Sequence, residues 1–373
     1  MRPIRLAHAA LLASACALGE TKLLKEEIPA TPGQTLVFEN LAGRVRVTGA
    51  PAGPVRIEGT VHAEDPSLLR GVVFEVKTEG GRTVVHTRYP TESVRTFHYP
   101  DPRRDGPGFV FAFDLSSSTV EYQGRRVTVT TGRKRGEELY VDAILRVPAG
   151  VSVEIENAAG RVDSRDVAGP VSVAAKSGDV GVWGNGDTVR IHTGSGDIEV
   201  DDARAGVSVK TGSGDVKVSH VKGAVSIDTG SGDVKLVDVT GGVKTHTGSG
   251  TVVLEKVRGS LEHESGSGDF SARDLRLEGR LSVETGSGDV ELSGDAAALT
   301  GALVDVSSGN VRWRMSGAPA LDLEVVSSSG EIDLDLPGIT YEKRKDGRVE
   351  ARTGEGGVPV KITTSSGDVR LSR

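Results

Sequence analysis

The chain has 373 residues, 50 of them glycine and only 4% aromatic, with 52 acidic against 45 basic side chains for a net charge of −7. An acidic balance of this size gives no electrostatic footprint for nucleic acid, and without Arg2 and Arg5 of a leader it rises to 52 acidic against 43 basic. A single cysteine excludes an internal disulfide framework.

The first 16 residues read as a secretory signal, with Arg2 and Arg5, an apolar run from Leu6 to Ala13, and small residues before Cys16. Cys16 directly follows Ala13-Ser14-Ala15, a pattern that resembles a bacterial lipobox with alanine where leucine is usual. Two readings stay open: acylation of Cys16, which would hold the protein at a membrane by lipid, or ordinary cleavage after Ala15 or Ala17. No later apolar run is long enough to span a bilayer. Residues 17–35 are expected to be a linker.

Residues 36–154 are strand-rich without a period. TLVFENLAGRVRV, GPVRIEG, GVVFEVK, RTVVHTR, RRVTVTT and YVDAILRVP alternate, or run β-branched, between Gly and Pro breaks. This part is expected to continue the sheet and cap the repetitive part of the chain, because an exposed first coil would template edge pairing. LAGRVRV, around Gly43, echoes the repeat of the second half. An irregular stretch at 96–125 interrupts the strands. Tyr89, Phe97, Tyr99, Phe109, Phe111, Phe113 and Tyr122 concentrate in and beside it, and Phe109, Phe111 and Phe113 would share one strand face. They are either a plug closing the end of the stack or an exposed surface that docks a protein partner or glycan.

Residues 155–373 carry the repeat. GSGD and its variants place a glycine at 178, 196, 214, 232, 250 and 268, a constant period of 18. The cleanest copy, GVSVKTGSGDVKVSHV, alternates at Val207, Val209 and Thr211, changes phase at Gly214-Asp215, and alternates again at Val216 and Val218. This is strand, glycine turn, strand. The aliphatic side chains of one such coil cannot offset the backbone entropy of its 18 residues, so coils must stack and share their ladders. The resulting fold class is all-β, a β-solenoid with coils of about 18 residues, right-handed by the general preference of parallel crossovers. Gly160 sits one period upstream, and Gly288, Gly309, Gly330 and Gly367 continue the motif more loosely, with KDGRVEA around Gly347 as a degenerate coil. About eleven coils at strand spacing make a rod on the order of 50 Å long.

LRVPAGVSVEIENAAGRVDS, followed by TGSGDV and SSGDV units, is similar to the bacterial family of unknown function called the putative adhesin domain. The resemblance runs from about Leu36 to Arg373 and implies a β-solenoid at the cell envelope, in the periplasm or at the outer surface. It supplies no catalytic residues.

Asp179, Asp197, Asp215, Asp233 and Asp269 occupy one column, with Thr251 as the exception. Like charges one strand apart repel by about 1 kcal/mol even in water. A calcium ladder would compensate, although the calcium-binding nonapeptide places Asp two residues after glycine in both halves of a coil. The simpler arrangement is that each carboxylate caps its own turn while Lys217 and Lys235 relieve the charge, with no metal or cofactor. Thr193, Thr211, Thr229 and Thr247 share phase with the valines and are expected to point inward. His192 and His246 fall in an outward column too far apart to share a ligand. Neither a nucleophile elbow nor a phosphate or dinucleotide loop is present. These features favour a non-enzymatic envelope protein that mediates adhesion or protein interaction. A calcium-stabilised structural rod and a polysaccharide-active β-helix enzyme are the alternatives.

Overall fold

The computed structural model describes residues 20–100, 117–131, 135–317, 319–345, 347–355 and 357–373. Within them the chain forms 31 strands and one short 3-10 turn, Pro66–Gly71. The fold is all-β, a long and mostly parallel sheet system of the solenoid kind.

The repeat folds as its alternation dictates. In the coil around Gly214, strand Val207–Ser213 buries Val207, Val209 and Thr211, and strand Val216–Val221 buries Val216, Val218 and Val221. Each strand pairs in parallel with its counterpart one repeat before and one after, so Val209 lies between Ile191 and Ile227, and Val218 between Val200 and Leu236. Side chains of one kind therefore stack into continuous inner columns. One runs Ile155, Val173, Ile191, Val209, Ile227, Thr245, His263, Val283, Val304. All nine are buried; strands that precede each motif glycine stack as a first sheet, those that follow it stack as a second, and this column is the inner strip of the first.

The alternation slips once per coil at a corner that the sequence pattern does not announce. Asp166, Asp202, His220, Asp238, Lys256 and Asp274 all take φ between +53° and +57°, and Gly184 stands in the same column. Asp and His tolerate this left-handed conformation better than most residues. The extra residue turns two successive side chains outward, which brings Ala203, Val221 and Val239 back into the core.

Both ends depart from chain order. Thr35–Ala42 and Val45–Ala50 form a coil in register with Ser152–Ala159 and Val162–Arg165, Phe38 opposite Ile155 and Val45 opposite Val162. The echo at Gly43 is thus a true coil, and the stack starts there rather than at 155. Between these two neighbouring coils the chain makes an excursion, whose described residues are 51–100, 117–131 and 135–151. They cover both edges of the first one: Arg82–Arg88 pairs with Thr35–Ala42, and Glu137–Pro148 pairs with Val45–Ala50. The expected linker at 17–35 is corrected by strand Glu20–Ile28, which pairs antiparallel with Val55–Ala63 along the outer edge of the cap. Its Leu24 and Ile28 are buried, which is what an alternating apolar pattern on an edge strand achieves.

At the other end, the coil Val358–Ser366 with Val369–Ser372 inserts between Val290–Ser308 with Val311–Ser316 and Leu321–Ser329 with Ile332–Asp335. The stacking order of the motif glycines is therefore 309, 367, 330. Gly347 does not mark a coil. It belongs to a hairpin in which Arg348–Thr353 pairs antiparallel with Leu321–Ser329 and with Ile339–Lys345. The outermost strand carries Lys343, Arg344 and Lys345, a charged edge of the kind that discourages further pairing.

Candidate interaction surface

The TGSGD motif is a turn in which each position has a separate task. Thr211 Oγ1 donates to the carbonyl of Ser213 at 3.0 Å, satisfying a turn acceptor from inside the core. Thr193, Thr229 and Thr247 repeat the bond at 3.1, 3.2 and 3.0 Å, so this column points inward as expected. A Cβ at Gly212 would stand 2.6 Å from the carbonyl oxygen of Gly194, and one at Gly214 would stand 2.3 Å from that of Gly196. Gly214 also has φ +116°. Close stacking of backbone on backbone, together with the turn itself, demands glycine here.

The aspartates do not cap their own turns. Each reaches forward to the backbone amide of the next coil: Asp197 N donates to Asp179 Oδ1 at 3.1 Å, Asp215 N to Asp197 at 3.0 Å, and Asp233 N to Asp215 at 2.9 Å. Thr251 N donates to Asp233 at 2.8 Å and Asp289 N to Asp269 at 2.9 Å. Strand spacing of about 4.8 Å explains the correction, because a carboxylate one level below is well placed to meet the next amide. Lys217 and Lys235 pair with Glu199 and Glu255, at 3.0 and 3.4 Å, not with the aspartates. The ladder continues through Asn310, Asp368 and Glu331. Two coils below the ladder, Asp142 of the cap makes a like bond, accepting from Arg44 N at 2.8 Å. Partial burial would raise the Asp289 pKa, but hydrogen bonds from Asn310 and the nearby charge of Arg312 together outweigh it and hold the carboxyl below the ordinary range. Among the described residues no three His, Cys, Asp or Glu side chains converge as a metal site.

Outward columns carry most of the charge. Lys210 pairs with Asp228 at 2.8 Å and Lys244 with Glu262 at 2.6 Å, each with a partner one coil away. His192 and His246 are exposed, and His246 lies 3.4 Å from Glu264. His220 lies 2.7 Å from Asp201, which also accepts from Ser219; this hydrogen bond raises the His220 pKa above its ordinary value. A shallow groove of about 530 Å³ follows the corner past Gly206, Ala224, Gly242 and Ser260.

One stretch of the second sheet breaks the pattern. In the two coils next to the cap, the position held elsewhere by the aspartates carries Arg44 and Arg161, legible in the sequence as GRV in place of GDV. Both bind the buried carboxylate of Asp163, Arg44 Nε at 2.8 Å and Arg161 Nε at 2.6 Å. Beside them Arg46 and Arg165 face outward. The Arg165 guanidinium lies 4.2 Å above the ring of Trp183, which folds back over Gly181 so closely that a Cβ there would collide with it.

Two sets of residues that the sequence singles out for function fall elsewhere. Cys16, Phe109, Phe111 and Phe113 lie outside the described residues. The four other aromatics of that group are in the cap: Tyr89, Phe97 and Tyr99 are buried, and Tyr122 is partly so. Tyr89 Oη lies 3.0 Å from both Asn40 Oδ1 and the carbonyl of Ala42, and its ring meets Phe97 and Tyr122 edge-on. One core position escapes the sequence pattern: His263 occupies an inner column, stacks on Phe270 at 4.2 Å, and contacts Thr245 Oγ1 at 2.8 Å.

Fold and surface together define an all-β repeat protein whose ordered outward columns run along a stack of parallel coils. The chain belongs to the Toastrack DUF4097 family, whose model matches residues 153–302 and 297–372. A solved structure from Clostridium sporogenes, described as a putative cell adhesion protein, aligns with 95% of this chain and 99% of its own at 8% identity and a TM-score of 0.24. No curated protein matches the chain.

Proposed function

We propose that this protein is a non-enzymatic scaffold of the cell envelope: a right-handed solenoid of 18-residue coils whose outward columns mediate adhesion or protein interaction. The observation that carries the reading is the division of labour within each coil. Core, turn and ladder positions are committed to structure, as the Thr211, Gly214 and Asp215 contacts illustrate, while the outward positions vary from coil to coil. A surface of this kind suits an extended partner, protein or glycan, better than a small substrate. Export follows from the leader, with Cys16 as the lipid attachment point and the periplasm or outer surface as the location.

The test has three arms. Metabolic labelling with a fatty acid, compared between the native chain and Cys16→Ala, should show acylation that the variant loses. Incubating purified protein with envelope polysaccharides should give retention without turnover, and release of shortened products would end the non-enzymatic reading. A pull-down from the native envelope should return a defined partner.

A further inference from the structure

We propose that the outer face of the second sheet, where the stack meets the cap, binds a carboxylate-bearing polysaccharide through Arg46 and Arg165. The proposal deepens the scaffold reading by naming a partner class and a place. The chain as a whole carries −7, yet this face gathers Arg44, Arg46, Arg161 and Arg165 within two coils. Arg146 and Arg56 extend the same column into the cap, since Arg146 lies opposite Thr48 and Arg56 opposite Arg146.

Most acids nearby are already used; the exception is the exposed Asp166, next to Arg165 in the chain, whose carboxylate lies over Gly184. Asp163 is taken by Arg44 and Arg161, Glu58 by Arg146 at 3.3 Å, and Glu27 by Arg56 at 2.9 Å. Among the described residues neither Arg46 nor Arg165 makes an ion pair. Farther along the same face, cations meet acids on nearby coils: Lys217 with Glu199, Arg273 with Glu291, Arg370 with Asp333. The surplus of positive charge is therefore local.

Arg165 is also held in place. The cation–π contact with Trp183 holds the guanidinium at one place on the face, and a guanidinium carries the N–H fork that matches a planar carboxylate with two parallel bonds. Arg46, on the adjacent strand and two register positions away along it, supplies a second donor. The form of the partner follows from the form of the face. It is a sheet face whose flanking strand edges are already paired, so a peptide could not add as a strand. A stiff polymer bearing one carboxylate per unit can lie across the strands with little ordering cost. Dense polyanions and anionic bilayers would meet Asp179, Glu199 and Asp201 beside the patch as well as the net negative charge of the chain.

The experiment measures binding of the purified chain to oligogalacturonate of fixed length by calorimetry at low and physiological salt. Dextran, poly-glutamate and phosphatidylglycerol vesicles serve as comparisons. Binding to oligogalacturonate over all three is expected, and the double variant Arg46→Gln/Arg165→Gln should weaken it by about tenfold or more. Trp183→Leu should give a smaller loss, and Lys210→Gln on the other sheet none. Thermal melting of the double variant should match the native chain, because both arginines are exposed. Absence of binding, unchanged affinity in the double variant, or a preference for dextran, poly-glutamate or vesicles overturns the proposal. Because this measurement uses purified protein, failure of export would end the envelope reading and leave the binding result standing.

Discussion

The middle of the stack and its two ends are built from the same strands but obey different rules. From the Gly178 coil to the Gly268 coil each strand leans on a neighbour one repeat away, and a hydrogen bond between coils spans 18 residues, as from Asp233 N to Asp215. At the base, Asn40 contacts Asn157 across 117 residues, and at the far end Asp368 contacts Asn310 across 58. The difference shows what a solenoid cannot get from repetition. Internal coils cover one another, but a terminal coil leaves a row of open amides and carbonyls that only a segment from elsewhere in the chain can satisfy.

Substitutions can sharpen this contrast. The largest effect is expected from Gly232→Val in mid-stack, where φ is +123° and a Cβ would stand 2.3 Å from the Gly214 carbonyl oxygen. Backbone cannot yield there without moving a coil, so a loss above about 4 kcal/mol in denaturant unfolding is expected. Gly53, in the excursion, has φ +148° but nothing within 4 Å of the place a Cβ would occupy, and Gly53→Val should cost about 1–2 kcal/mol from backbone strain alone. Equal losses at the two sites would dissolve the distinction.

His263 gives the next largest effect and a pH signature inside the stack. Burial, reinforced by the charge of His246, pushes its pKa down from 6.5 to about 4. Between those values the unfolded chain binds a proton that the folded chain does not, so stability falls as pH drops from about 6.5 towards 4 and levels off below. The full span corresponds to about 3 kcal/mol, and His263→Val should remove that part of the acid sensitivity in melts across the window. Asp215→Ala tests the ladder itself. Loss of the acceptor for the Asp233 amide, at an exposed turn, should cost about 1 kcal/mol. Smallest of all, calcium or chelator should shift the melting midpoint by less than about 1 °C, since the ladder carboxylates already serve backbone amides.

The repeat is legible in the sequence because its period, its glycines and its threonine column each report a local constraint. Val209 and Thr211 alternate whether or not the rest of the chain is known. The partner of Asp215 is not legible, because the amide it meets belongs to Asp233, in the next copy of the motif. Nor is the order of the last coils, since SSGNV, SSGEI and SSGDV present nearly the same strand faces and any of them could follow Gly288. The cap hides for a related reason: Phe38 and Ile155 are register partners separated by the whole excursion. In the candidate surface, the exchange of Asp for Arg at Arg44 and Arg161 is visible as GRV. The stacking of Arg165 on Trp183 becomes apparent only once two coils stand side by side.

The displaced coil at 358–372 also has a kinetic side. Coil-by-coil propagation can run from Gly160 to Gly309 with short loop closures, which is a fast route for a β protein. Beyond Gly309 it must halt, because Leu321–Ser329 finds its parallel neighbour only after Val358–Ser366 has docked. A chain that placed 321–335 directly on the Gly309 coil would be trapped in a near-match and would have to open again. Refolding should therefore show a slow final phase confined to this end, with amide protection appearing last in 321–335 and 358–372.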